Sequence, residues 1–195
     1  GVVALPPQPL VAPRVREGDR WRYEIIDNYR REKQRELTAR VVSTQPQCRV
    51  ELLDAQGRRV GDELYTSPWQ VLQEPFYDQV QIFEGPVPLL PNLGTPGSRQ
   101  GFRTHYRVAG SDDRLYWDVT VEARFWERLR VPAGEFDTLR VQRNIRFQHS
   151  DRFRLGPPWR FETLWYAPQV NRWVQREWTG GYRWAGMRGS HLNED

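Results

Sequence analysis

Along most of this chain, apolar and polar residues alternate with the period of a β-strand. Between Gly18 and Ile25, Trp21, Tyr23 and Ile25 interleave with Arg20, Arg22 and Glu24, which predicts a strand with one buried face. Leu37, Ala39 and Val41 continue the pattern, followed by Val50 and Leu52. Asp54-Ala-Gln-Gly57 then reads as a hairpin turn into residues 59–65, so the first third predicts a meander of about four strands. Near the other end, two runs rich in aromatic and β-branched residues flank Ala167-Pro-Gln-Val-Asn171. They predict a hairpin over Phe161–Trp178.

Residues 67–101 break this rhythm. Pro68, Pro75, Pro86, Pro88, Pro91 and Pro96 argue against a central strand or a long helix. Trp69, Phe76, Tyr77, Ile82, Phe83, Leu89, Leu90 and Leu93 are too many large apolar groups for a solvated loop. The segment is expected to be an irregular cover wrapped across the sheet, either as packing or as a ligand lid.

The region 115–147 permits a register argument. Leu115, Trp117, Val119, Val121, Ala123 and Phe125 occupy odd positions, as do Leu139, Val141, Ile145 and Phe147 after Val131-Pro-Ala-Gly-Glu135. Opposed residues of an antiparallel ladder share a face, so odd must meet odd. Val131 opposite Glu135 satisfies this, with Pro132-Ala133-Gly134 as a three-residue loop. Ala123 then faces Arg143, Phe125 faces Val141, and Glu127 faces Leu139. Arg143 and Glu127 become two charges on an apolar face, roughly 13 Å apart and unable to pair with each other. Arg143 therefore needs a carboxylate from another strand or the cover, solvent at a sheet edge, or an anionic ligand head group. On the opposite face Glu122, Arg140 and Arg146 form a solvated ladder.

Strands of up to ~15 residues would span about 50 Å, too long to stay straight in one domain. The expected fold is all-β and mainly antiparallel, a strongly curved sheet forming a half-barrel or open barrel. Residues 17–180 are expected to form a single β-domain, preceded by a disordered Pro-rich leader (1–16) and followed by a loosely ordered tail (181–195). No internal repeat is visible.

Composition agrees with a folded β-protein. The 195 residues suffice for one core. Mean hydropathy is −0.80, yet aromatics reach 13%, with nine Trp against one Met, which separates this chain from disordered sequences. The net charge of +4 is spread among interspersed acids, with no basic stripe, so a nucleic-acid partner is not expected. Lys33 is the only lysine, which reads as a bias of the source genome. Cys48 stands alone and reads as a small core filler; no internal disulfide can form.

With Gly18-Asp-Arg-Trp-Arg-Tyr23, Val131-Pro-Ala-Gly-Glu-Phe136 and Trp165-Tyr-Ala-Pro-Gln-Val-Asn-Arg-Trp173 in hand, the chain resembles a family of uncharacterised exported proteins of Gram-negative bacteria. In it a VPAG-x-F turn precedes a strand and a WYAP-x-V-x-R turn closes the domain. The resemblance spans roughly residues 17–178 and carries no catalytic residue. It implies a secreted, periplasmic or lipid-anchored β-domain of unknown function. Gly1 reads as a residue left by cloning, and a Pro-rich spacer at residues 4–13 often follows a cleaved signal or a lipidated anchor. Localisation is thus expected in the periplasm or anchored at the outer membrane, with membrane contact only through such an anchor.

Chemistry is sparse. His105, His149 and His191 lie more than 40 residues apart with no metal-ligand spacing, so no metal or cofactor is expected. No phosphate-cradling glycine motif and no serine elbow occurs, so no catalytic residue is assigned and a hydrolytic enzyme is the least favoured reading. Two readings remain. One is a non-enzymatic domain binding an apolar or amphipathic ligand, or an envelope protein, on a concave sheet face. Its candidate residues are Trp117, Phe125, Arg143, Glu127, Trp69 and Phe83. The other is a structural or assembly component of the cell envelope with a filled core.

Overall fold

The computed structural model describes residues 2–27, 35–76, 79–92, 94–150, 158–180 and 183–192. Its strands are β1 (Val3–Ala4), β2 (Arg20–Asp27), β3 (Arg35–Ser43), β4 (Cys48–Leu53), β5 (Arg59–Tyr65), β6 (Gln70–Phe76) and β7 (Gln79–Pro88). They continue with β8 (Arg99–Val108), β9 (Leu115–Val131), β10 (Gly134–Phe147), β11 (Trp159–Ala167), β12 (Arg172–Gly180) and β13 (Arg183–His191). A single 3₁₀ turn, Pro168–Val170, is the helical element among the described residues.

From β2 to β13 every strand pairs antiparallel with its neighbours in sequence, and β13 pairs back onto β2. The curved antiparallel sheet expected from strand length is therefore present, and it closes as an up-and-down barrel of twelve described strands. Closure removes the exposed edges that an open sheet would carry. The concave face of the expected sheet is the barrel interior. The four-strand meander of the first third is β2–β5, and the hairpin over 161–178 is β11–β12.

The tail and leader differ from expectation. Residues 183–191 form β13, which fills the gap between β12 and β2. The run Arg-Trp-Ala-Gly-Met-Arg-Gly-Ser-His has few β-branched residues, so only the two free edges specify it. Gly189 lets Leu192 nest against the backbone: a Cβ there would lie 2.8 Å from the Leu192 side chain. In the leader, β1 adds to β9 through Val3–Arg128 and Ala4–Glu127. It can do so because β8 covers β9 only from Leu115 to Glu122. Leu5, Leu10 and Val15 pack onto the core.

The Pro-rich segment is likewise a correction, since it contains β6 and β7 rather than an irregular cover. Its prolines lie where no ladder bond is lost. β5 meets β6 only at Leu64–Gln73 and Tyr65–Val71, leaving an open edge at Pro75. The β6–β7 ladder jumps from Val71–Val87 to Gln73–Ile82, and Pro86 sits in the resulting bulge.

The β9–β10 hairpin departs from the expected register. Val131 pairs with Gly134, so Pro132-Ala133 is a two-residue turn, with Gly134 at φ +134°. Glu127 consequently faces Thr138, and Phe125 faces Arg140. A bulge at Arg124 then restores odd-to-odd pairing, with Val141 opposite Ala123 and Arg143 opposite Val121. Parity alone could not reveal two one-residue shifts in the same sense, which together move the register by two residues. The consequence is a face exchange: Trp126 is buried at 1% exposure, whereas Phe125 is 44% exposed on the outside. Trp126→Ala is expected to cost about 3–5 kcal/mol and Phe125→Ala about 1 kcal/mol or less in urea denaturation. A bulge-free register would reverse that order.

Candidate functional site

The strand pattern aims four arginines into the barrel. Arg143 lies on the inward row of β10 with Val141 and Ile145, and its partner across the ladder is Glu162 on β11. Even-numbered residues of β11 point inward here, so Arg160, Glu162 and Leu164 share a face. Arg176 on β12 reaches the same carboxylate, donating from Nη2 to Glu162 Oε1 at 3.1 Å. Arg143 Nη1 donates to Glu162 Oε2. Arg160 Nε lies 3.2 Å from Oε1, close enough to pair in charge but off the hydrogen-bond direction. Glu74, from β6, stands 3.5 Å from both Arg160 and Arg176. Every one of these side chains is buried.

Aromatic rings bound this layer on two sides. Toward the end of the barrel that carries the 109–114 connection, Trp117 packs edge-on against Phe83 at 4.9 Å and Tyr106 at 5.4 Å. The Arg160 guanidinium lies 3.9 Å from the Phe76 ring centre and 5.2 Å from that of Trp117. Toward the opposite end, Trp69 meets Tyr65, Trp173 and Trp21 at 5.0, 5.3 and 5.8 Å. Arg172 is inserted among them, 3.9 Å from Trp173, and donates to Glu63 at 3.0 Å and to the Tyr23 hydroxyl at 3.1 Å. Trp69 follows Pro68 in the β5–β6 turn with φ +65°, a conformation that a bulky residue adopts only under constraint. The constraint is visible: its indole N–H donates to Asn171 O at 2.7 Å, and the ring is fully buried.

The protonation equilibria follow from burial against charge. Burial alone would raise the Glu162 carboxyl, but Arg176, Arg160 and Arg143 overturn this and hold it well below the usual carboxylate range. Burial lowers Arg160. For Arg172, burial is outweighed chiefly by Glu63, and for Arg176 chiefly by Glu162 and Glu74; both are raised. Burial pushes the Tyr23 and Tyr106 hydroxyls up to about 12 and raises the Cys48 thiol.

The six residues singled out from sequence do not form one site. Trp117 and Phe83 touch each other, and Arg143 belongs to the charged layer. Trp69 lies in the opposite aromatic cluster. Glu127 accepts from Arg140 Nε at 2.7 Å and from the Trp165 indole at 2.8 Å. Arg140 also stacks on Phe125 at 5.4 Å, so Glu127 and Phe125 share a partner on the outer face, away from Arg143. Sequence reasoning missed Glu162, Arg160, Arg176, Arg172, Glu63 and Glu74. A signal existed in β11, where Arg160 and Glu162 share parity with Leu164. Glu74 had none, because its segment read as cover.

A recess of about 360 Å³ opens beside the Phe83 cluster. The β7–β8 ladder is made at Gln81–Val108, Ile82–Arg107 and Phe83–Tyr106, and past it the strands stay in side-chain contact, with His105 Nδ1 3.9 Å from Glu84. Ile82, Phe83 and Tyr106 form an apolar floor, with Glu84, Arg107, Asp112 and Arg114 around it. Arg114 clamps Glu84 at 2.7 and 3.0 Å.

These features define a class: a closed, up-and-down antiparallel barrel with an ionised, aromatic-lined interior. The fold is shared with a known structure, and two others show a weaker likeness. A candidate lipoprotein from Parabacteroides distasonis superposes with a TM-score of 0.56 at 15% identity, covering 91% of this chain and 96% of its own. A candidate exported protein with a YmcC-like fold from Bacteroides fragilis gives 0.44 at 14% identity over 100% of both chains. The hypothetical lipoprotein YmcC from Escherichia coli gives 0.49 at 10% identity over 88% and 83%. No protein-family model and no curated protein matches the chain.

The interior predicts an asymmetric response to mutation. Glu162→Gln leaves Arg160 and Arg176 sharing Glu74 and takes away the carboxylate that Arg143 pairs with, whereas Arg143→Met leaves Glu162 with Arg176 and Arg160. Glu162→Gln is expected to cost about 3–5 kcal/mol and Arg143→Met distinctly less, measured by urea denaturation. Stability should also vary with pH at both extremes. The lowered Glu162 contributes stability that is present above the ordinary carboxylate value, about 4.3, and lost as pH falls below it. The raised Tyr23 and Tyr106 contribute stability that is present below about pH 10 and lost as pH rises through about 12. Denaturation midpoints followed against pH, with phenolate absorbance on the alkaline side, check both limbs.

Proposed function

We propose that this chain is a non-enzymatic, exported binding domain of the bacterial cell envelope, and that it takes an amphipathic ligand at the recess between β7 and β8. The observation that carries the reading is the recess itself: an apolar floor of Ile82, Phe83 and Tyr106 inside a charged rim, within the size range of small-ligand sites. An amphipathic molecule matches both parts, its apolar portion on the floor and its polar group among Arg107, Arg114, Glu84 and Asp112. Phe83 and Trp117, singled out from sequence, lie at this end of the barrel.

Two observations favour binding over turnover. The buried Glu162 is saturated by guanidinium groups and held ionised, which unsuits it for proton transfer near neutral pH. Cys48 is buried with a raised thiol, the opposite of an activated nucleophile. The cellular setting is supported by the P. distasonis neighbour, a candidate lipoprotein.

The reading is tested with the anionic amphipathic dye 1-anilinonaphthalene-8-sulfonate on the native protein. Saturable fluorescence enhancement is expected, weakened about tenfold or more by Ile82→Glu, a change equal to about 1.4 kcal/mol. Far-UV spectra of the variant control for folding. Equal binding by a folded Ile82→Glu variant would overturn the assignment.

A further inference from the structure

We propose that the barrel interior contains a second, buried binding site, for one monovalent oxyanion of the carboxylate class, formed by Arg143, Arg160 and Arg176. The first argument is charge. Among the described residues, Arg143, Arg160, Arg172 and Arg176 face Glu63, Glu74 and Glu162 inside the barrel, and none exceeds 7% exposure. Four cations against three carboxylates leave one positive charge unbalanced. A buried unbalanced charge is far more costly than a buried pair. Water can satisfy N–H groups, but it cannot neutralise the excess.

The second argument is hydrogen bonding. Arg143 Nε, Arg160 Nε and Nη2, and Arg176 Nε are buried and make no hydrogen bond among the described residues. The two Arg160 nitrogens lie 3.2 Å from Glu162 and 3.5 Å from Glu74, off the hydrogen-bond direction, and the Tyr65 hydroxyl oxygen has no hydrogen-bond partner among the described residues either. Arg172 Nη1 and the Trp117, Trp173 and Trp178 indoles are also unsatisfied, but the three arginines that surround Glu162 carry four such donors in one layer. Each such group left unmade carries a desolvation penalty. Planar guanidinium forks accept carboxylates side-on, and the charge excess of one sets the valence. Phe76 and Trp117 against Arg160, with Trp173 and Trp178 beside Arg176, keep the surroundings apolar, which strengthens an anion–guanidinium contact. The site lies inside the barrel and requires no occupant in the β7–β8 recess, so either can fail alone.

The test uses the full chain, dialysed free of small carboxylates and titrated with sodium formate against sodium chloride at matched ionic strength. Calorimetric titration and thermal unfolding are followed together. The expected result is a saturable, formate-specific rise in unfolding temperature with half-saturation below about 1 mM. Arg160→Met should abolish the saturable part, while dye binding at the recess persists. Should Arg160→Met fail to fold, the wild-type titration and a crystal structure grown in formate decide. An anion on the free N–H groups of Arg143, Arg160 and Arg176 supports the site. Equal responses to formate and chloride, or ordered water alone on those groups, overturn it.

Discussion

The carboxylate of Glu162, closed inside the barrel with guanidinium groups from β10, β11 and β12 around it, is the constraint to which the remaining architecture answers. Isolated in a protein interior, any one of these ions would carry a penalty of several kcal/mol; together they are tolerated because each stands against opposite charge. The arrangement demands that three adjacent strands keep one register, since a one-residue slip would turn Arg143 or Glu162 to the outside. It also requires β6 from across the barrel, because Glu74 completes the set for Arg160 and Arg176. The charged layer thereby selects both neighbouring register and closure.

A barrel this wide must fill its inside, and here large rings do so on either side of the ions. One cluster, Phe83, Tyr106 and Trp117, lies toward the 109–114 connection. The other gathers Trp21, Tyr65, Trp69 and Trp173 around Arg172. Three buried indoles are anchored through their N–H groups: Trp21 to Val170 O, Trp69 to Asn171 O, and Trp126 to Gly94 O. The 3₁₀ turn and the loops at that end are therefore tied to the interior they cover. Bulges at Arg124 and between Trp165 and Tyr166 re-aim the strands entering this end, which places Trp126, Tyr166 and Trp173 in one layer.

Function on such a frame comes from what the packing leaves unmet. In the interior this is charge and hydrogen bonding; between β7 and β8 it is a ladder that ends early. The two places differ in access and chemistry. The recess is open, with an apolar floor, while the arginine layer is enclosed. Neither involves the outer Glu127–Arg140–Trp165 cluster, whose hydrogen bonds are made within itself.

Much was legible in the sequence where one face is buried and the other wet. Alternation in β2–β5 and in β11–β12 revealed strands, and strand length revealed curvature, because period and length are local properties. The inward position of Arg143 was legible for the same reason. Two one-residue shifts in the same sense in the β9–β10 hairpin add to two and so preserve parity, and Phe125 and Trp126 could exchange faces without a trace in the pattern. β6, β7 and β13 were hidden because prolines, glycines and charged residues in them depend on edges and bulges supplied by other strands. The partner of Arg143 was hidden as well: pairing across a ladder, and across a barrel, is a property of closure. The sequence by itself determined that this chain forms a curved antiparallel sheet carrying ionised groups on its inner face. Only the tertiary structure decided that the sheet closes and which carboxylates meet which arginines, because both depend on contacts between strands distant in sequence.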